Sequence, residues 1–121
     1  MSKPIVITVN ASTNTVRAKK FLVTSGGYVA ELGASGTPKG VAVANKDVNN
    51  NVGMIAQGLI KMPAAAATYN PGDVLGGNSS GVIAYSSGVR VGIVAEPQQK
   101  IVSTTYSLTD PLLVYLNMDL A

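Results

Sequence analysis

The sequence predicts an all-β domain, either a small antiparallel β-barrel or a β-sandwich, with an extended N-terminal arm. Runs of β-branched and apolar residues recur about every ten residues, which gives eight to ten short strands. Gly, Asn, Asp and Pro separate these runs, and they are the usual turn residues. Because 121 residues are the length of one domain, we expect an arm or first strand at 1–18 and a single β domain at 19–121.

The first half of the chain is predicted to contain four strands. Residues 5–9 are a short β-branched run that a polar turn follows. Residues 20–24 and 28–32 are strand-like and are separated by Ser-Gly-Gly, which predicts a hairpin. A loop rich in Gly, Thr and Pro then leads into a fourth strand, which begins at Gly40.

The middle of the chain is predicted to contain one long strand, one helix-like stretch and one tight turn. Residues 52–62 read as a single strand whose two glycines indicate a bulge or a bend. Residues 63–67 are rich in Ala, but five residues support one helical turn at most. Pro71 and Gly72 occupy the second and third positions of a type II turn that ends at Asp73.

The last third of the chain is predicted to form strands again. Residues 74–75 and 82–85 flank a Gly-rich turn that ends at Gly81, and together they read as a hairpin. Residues 101–102 predict a short strand. Residues 112–116 have the apolar density of a strand that lies inside a sheet.

A short phrase occurs twice in the sequence. GTPKGVAVA at residues 36–44 returns as GVRVGIVA at residues 88–95, with a glycine, three residues, a second glycine and then an apolar run. The repeat predicts either an internal duplication or the same local geometry reached twice. We expect Gly40 and Gly92 to let two strands bend or approach a neighbour closely.

Charged residues are few and unevenly placed. They make up 12% of the chain, against about 25% in typical domains. Many exposed positions must therefore be uncharged, which favours a protein that lies against another surface. Lys3, Arg17, Lys19 and Lys20 give the first twenty residues a basic character without any acid, and the rest of the chain is close to neutral.

The residue types argue against an enzyme. The chain contains no Cys and no His, so it lacks thiolate chemistry, the commonest general base and the commonest transition-metal ligand. No two acidic residues form a recognisable catalytic pair, and no apolar run of about 18 residues could span a membrane. We expect no catalytic residue, no metal and no cofactor. Residues 1–20 also lack the features of a secretory signal, which predicts synthesis in the cytoplasm.

These elements, in this order, resemble the small capsid cement, or head decoration, proteins of tailed bacteriophages. The resemblance covers roughly residues 20–118 and consists of a Gly-Val-Ala strand, a Gly-containing strand with an Ala-rich segment, a Gly-Asp turn, a Gly-centred hairpin, a second glycine phrase and a final strand. These elements lie at residues 39–44, 52–67, 71–75, 81–84, 90–95 and 113–116.

The resemblance implies a β-tulip-like structural protein on the outer surface of a virion. Such a protein binds an icosahedral capsid at local three-fold sites, commonly as a homotrimer, and its partners are the major capsid protein and its own copies. It is made in the host cytoplasm, and neither a membrane nor a nucleic acid is expected as a partner.

The residues themselves suggest how such a protein could make its contacts. The apolar arm residues could add a strand to a neighbour's sheet, or could form the domain's own first strand. The basic residues that follow could pair with acidic capsid loops. The candidate capsid or inter-subunit contacts are Lys3, Ile5, Ile7, Val9, Arg17, Lys19 and Lys20, and the structural turns and bends are Gly40, Pro71, Gly72, Asp73, Gly81 and Gly92.

Two other kinds of protein remain as alternatives. One is a receptor- or carbohydrate-binding β module of a virion fibre, but the chain has one Phe, five Tyr and no Trp to stack against sugars. The other is a small nucleic-acid-binding barrel, which combines a basic groove with aromatic stacking platforms. In this sequence the basic cluster lies near the N-terminus and does not alternate with the tyrosines.

Overall fold

The computed structural model describes residues 6–34 and 36–118, and within them the chain is all-β, without a helix. Both large sheets are antiparallel, so the predicted fold class is confirmed. The strands are β1 (Val6–Asn10), β2 (Phe21–Ser25), β3 (Tyr28–Glu31), β4 (Gly40–Ala42), β5 (Asn51–Ile55), β6 (Gln57–Met62), β7 (Ala67–Tyr69), β8 (Val74–Gly77), β9 (Val82–Ala84), β10 (Arg90–Val94), β11 (Lys100–Val102) and β12 (Leu112–Asn117).

The two halves of the chain build two sheets with the same strand order. The first sheet has the order β1-β5-β4-β2-β3, and the second has the order β6-β12-β10-β8-β9. When the five strands of each sheet are numbered by their order along the chain, both sheets have the spatial order first, fifth, fourth, second, third. The two glycine phrases lead into matching strands, β4 and β10. The shared order supports internal duplication over a chance repeat of local geometry.

The main core lies between the two sheets, so they form a sandwich. The first sheet contributes Phe21, Val41 and Ile55, and the second contributes a larger apolar set. Contact between the sheets is close at Gly77, where a Cβ would lie 2.8 Å from the Phe21 ring. The residues of the second sheet and its flanks in this core include Ile60, Met62, Leu75, Val82, Val91, Val94, Leu112, Val114 and Leu116.

The outer face of the first sheet is covered by the chain itself. The β1–β2 connection places the buried Ala11 and Val16 against Leu22, Val52 and Met54, which form a second core cluster. The sheet curls so that its edge strands β1 and β3 approach each other. Asn14 Nδ2 bridges the gap by donating a 3.1 Å hydrogen bond to the Val29 carbonyl. In the described chain β1 and β3 are not paired, so the curled sheet is not a closed barrel.

Two predicted elements differ from the structure. Residues 52–62 are two strands, because the chain leaves the first sheet after β5 and enters the second sheet with β6. Ala56 lies at the break, and its carbonyl accepts a 2.9 Å hydrogen bond from the Met118 amide. Residues 63–67 do not form a helical turn, because Ala65 and Pro63 exchange backbone hydrogen bonds with Val82. Strand β7, which begins at Ala67, was not predicted.

The predicted turns have the expected backbone geometry. The Asp73 amide donates to the Asn70 carbonyl at 3.1 Å, and Gly72 has a φ of 84°, as the third position of a type II turn requires. Gly26 and Gly27 both have positive φ, which matches the twist of the β2–β3 hairpin. The β8–β9 hairpin forms around the turn that ends at Gly81.

Candidate interaction surfaces

The N-terminal candidates belong to the domain's own sheet. Lys3 and Ile5 lie outside the described residues. Ile7 pairs with Met54, and Val9 pairs with Val52, in the antiparallel ladder of β1 and β5. Val9 packs against the second core cluster, whereas Ile7 is 41% exposed. The segment could have added a strand to a neighbour's sheet or formed the domain's own first strand. In the structure it forms the first strand of the domain's own sheet.

The three basic candidates Arg17, Lys19 and Lys20 line one groove of about 470 Å³, which we call the basic groove. Five different connections between strands meet there, and none of the nine lining residues is acidic. The sequence did not predict the other lining residues, because they are far apart in the chain and share no motif. They are Ala18, Asn45, Pro63, Ser80, Tyr106 and Leu108.

Arg17 is held at the mouth of the groove by Glu31 from β3. Its Nε and Nη2 atoms donate to the two carboxylate oxygens at 3.0 and 2.8 Å, and its backbone amide donates to Oε2 at 2.8 Å. The hydrogen bond from Arg17 lowers the pKa of Glu31 and the same bond raises the pKa of Arg17. The Arg17 charge is therefore already compensated within the domain.

Lys19 and Lys20 carry charges that are not compensated in this way. Neither forms a salt bridge in the described part of the chain. Lys20 Nζ donates to the neutral Ser79 carbonyl at 3.3 Å, and partial burial lowers the pKa of Lys19. Lys19 also has a φ of 65°, and its amide donates to the Ala42 carbonyl at 2.8 Å. This wall of the groove is therefore fixed to β4.

The β11–β12 connection is fixed to the groove in a similar manner. Tyr106 has a φ of 53°, and its amide donates to the Ala64 carbonyl at 2.6 Å. The Tyr106 hydroxyl accepts a 2.7 Å hydrogen bond from Asn78 Nδ2. Leu108 lies on the rim with 72% of its surface exposed. The basic groove thus combines two ammonium groups that have no salt bridge among the described residues with an aromatic and an aliphatic side chain.

A second candidate surface is the outer face of the second sheet. Leu59, Tyr115, Ile93 and Val74 are direct cross-strand partners on β6, β12, β10 and β8, and we call them the apolar row. Tyr115, Ile93 and Val74 are 37%, 42% and 38% exposed. The row contains no charge, and Lys61, opposite Leu113, is the charged residue that pairs beside it on β6.

The two sheets differ in what covers their outer faces. In the first sheet, the β1–β2 connection buries Val52 and Met54. In the second sheet, the apolar row stays partly exposed within the described chain. The two sheets share one strand order, so the connection over the first sheet is a difference between equivalent sides of two similar sheets.

Gly40 and Gly92 lie at equivalent close approaches to the next strand. A Cβ on Gly92 would meet the Tyr115 carbonyl oxygen of β12, and a Cβ on Gly40 would meet the Met54 side chain of β5. The φ of neither glycine is positive, so space and not backbone conformation selects glycine. These residues shape the sheets and do not line the groove.

The described residues contain no group of three or more His, Cys, Asp or Glu that could hold a metal ion. A search of the same residues for a helix long and apolar enough to cross a membrane also found none. Comparisons with protein-family models, with curated proteins and with solved structures found no match to this chain. Functional inference therefore depends on the two surfaces, the basic groove and the apolar row.

Proposed function

We propose that this chain is a structural virion protein that binds the outer surface of an icosahedral phage capsid and cements neighbouring capsid subunits. The observation that carries the proposal is the apolar row. It extends across four strands in register, contains no charge and is partly exposed, whereas Val52 and Met54 on the matching face of the first sheet are buried beneath the β1–β2 connection. Such a surface favours contact with a second protein.

The energetics of contact support this use of the row. Burial of apolar surface stabilises a contact by about 25 cal/mol per Å², and contact through the four uncharged residues of the row avoids the cost of removing ions from water. The rest of the protein is also poor in charge, with 12% charged residues in the whole sequence. A chain of this composition can be buried extensively in an assembly.

The proposal is tested by co-sedimentation with undecorated, expanded capsids of the phage that encodes the chain. We expect the wild-type protein to pellet with them, and Ile93→Asp to reduce the bound fraction at least tenfold, because it places a carboxylate in the centre of the row. Val48→Asp is the matched control, since Val48 is 97% exposed in the β4–β5 turn. Failure of folded wild-type protein to pellet would overturn the proposal.

We further propose that the protein acts as a homotrimer, which would place three apolar rows against the shell. Sedimentation equilibrium at micromolar concentration tests this part separately. The expected mass is three times the 12.3 kDa of one chain. A monomer both in solution and on the capsid would contradict the trimer and leave capsid binding unaffected.

A further inference from the structure

We propose that the basic groove binds an extended acidic segment of a protein partner, with carboxylates at Lys19 and Lys20 and an apolar side chain at Tyr106 and Leu108. If the function proposed above is correct, the capsid subunit supplies this segment, and the inference rests on that function for the identity of the partner. The chemistry of the ligand follows from the groove alone.

The charges in the groove select an anion. Of its three cations, Arg17 is satisfied by three hydrogen bonds to Glu31. Lys19 and Lys20 have no salt bridge among residues 6–34 and 36–118, and no described acid lines the groove. Glu31 attracts Lys20 through space, but its carboxylate oxygens are bonded to Arg17. The lowered pKa of Lys19 reflects burial of its ammonium group. A carboxylate would offset that cost, because hydrogen bonds between ions are stronger than those between neutral groups.

The walls of the groove are formed before a ligand arrives. Lys19 and Tyr106, which line the groove from two different connections, both have left-handed backbone conformations although neither is glycine. Such conformations are strained for residues with a side chain and persist where the surroundings impose them. Backbone hydrogen bonds to Ala42 and Ala64 hold the two residues here. A preformed groove loses less conformational entropy on binding, which raises affinity.

The apolar side chains favour a peptide over a nucleic acid. Leu108 is 72% exposed at the rim, where a ligand side chain can cover it. A binder of single-stranded nucleic acid stacks successive bases on several aromatic rings. Tyr106 is the one aromatic residue that lines this groove, and its hydroxyl is bonded to Asn78. A ligand with carboxylates beside an apolar side chain matches Lys19, Lys20 and Leu108 together.

The experiment is fluorescence anisotropy with three labelled probes of about ten units. They are a peptide of Glu and Asp with one central Phe, the same peptide with Gln and Asn, and single-stranded DNA. We expect saturable binding of the acidic peptide and at least tenfold weaker binding of the amide peptide. Raising the salt concentration should weaken the acidic complex, since exposed charges are screened.

Variants locate the site. Lys19→Gln and Lys20→Gln should each weaken binding of the acidic peptide at least fivefold, and Lys61→Gln, which removes an exposed charge from the second sheet, should not change it. Leu108→Ser should weaken binding of the Phe-containing peptide at least threefold. Thermal unfolding verifies that each variant is folded.

Three results would overturn the inference. The first is no binding of the acidic peptide, and the second is equal binding of that peptide by wild type and both lysine variants. The third is tighter binding of DNA than of the peptide, abolished by the same lysine variants, and this result would assign the groove to nucleic acid. Capsid co-sedimentation separates this inference from the proposed function. Capsid binding without peptide binding contradicts the groove proposal alone, and peptide binding without capsid binding contradicts the capsid proposal alone.

Discussion

At the scale of single residues, two glycines show how closely the strands of each sheet approach. Gly92 and Gly40 occupy matching strands, and at each a Cβ would collide with the neighbouring strand. The collision at Gly92 is with backbone, the Tyr115 carbonyl, which cannot move aside as a side chain can. Gly92 therefore has the stricter requirement for glycine.

We predict that Gly92→Ala lowers the free energy of unfolding by about 2 kcal/mol or more, because the added methyl group pushes β10 away from β12. Urea unfolding followed by circular dichroism measures the change. Gly33→Ala is the matched control, since a Cβ there meets nothing within 4 Å and the φ is not positive. It should alter stability by less than about 0.5 kcal/mol. Equal stability of the two variants would refute the close approach.

The ion pair of Glu31 with Arg17 predicts a dependence of stability on pH. Arg17 lowers the pKa of Glu31 in the folded protein below its ordinary value of 4.5. The stabilisation is therefore complete above about pH 4.5 and is lost as the pH falls through the lowered pKa. Urea unfolding should show wild type to be more stable than Glu31→Gln at pH 7, with a difference that disappears at acidic pH. A difference that stays constant down to pH 2 would contradict the pair's role.

At the scale of elements, the β1–β2 region is part of the domain's framework and not a detachable arm. β1 pairs along its whole length with β5, and Ala11 and Val16 are buried in the second core cluster. A truncation intended to test an arm would therefore also remove part of the core. Loss of capsid binding by such a variant would not identify a contact.

Deletion of residues 1–18 should lower the free energy of unfolding by more than about 3 kcal/mol, because it removes the β1 partner of β5 and exposes Val52 and Met54. Thermal unfolding of the truncated and full-length chains measures the loss. Val16→Ala should reproduce part of it, and Thr15→Ala, at an exposed neighbouring position, should not. A truncated chain that unfolds at the wild-type temperature would show that the segment is dispensable for folding.

Local patterns predicted most elements but not their partners. The Gly-Gly hairpin and the turn at Asn70–Asp73 depend on residues within four positions of each other, so the sequence specifies them directly. The break at Ala56 was missed because β5 and β6 are both rich in apolar residues, and no polar residue marks the change of sheet. Strand β7 was missed because its three residues lie in an Ala-rich segment and depend on distant β11.

The basic groove and the apolar row both include residues that are distant in the chain, and local sequence patterns do not predict which distant residues meet. Arg17, Lys19 and Lys20 could be predicted as one basic cluster because they are close in the chain. Tyr106 and Leu108 reach the groove from a separate connection, and no local signal ties them to the lysines. The apolar row needs the register of four strands, which only the folded pairing supplies.

At the scale of the whole molecule, two matching sheets enclose one core and differ in their outer faces. The first sheet is closed off by its own connection, whereas the second leaves the apolar row partly exposed. The two halves thus differ in whether a connection of their own lies over the outer face of the sheet, and we propose that the face of the second half contacts a partner. This asymmetry is the physical basis of the proposed attachment to a capsid.

The most direct measurement of the central claim is a cryo-electron microscopy difference map between expanded capsids with and without saturating protein. We expect additional density at local three-fold positions on the outer surface, with the second sheet turned so that Tyr115, Ile93 and Val74 face the shell. Absence of additional density at saturation would contradict capsid binding. Density in which the apolar row faces solvent would contradict the proposed docking face.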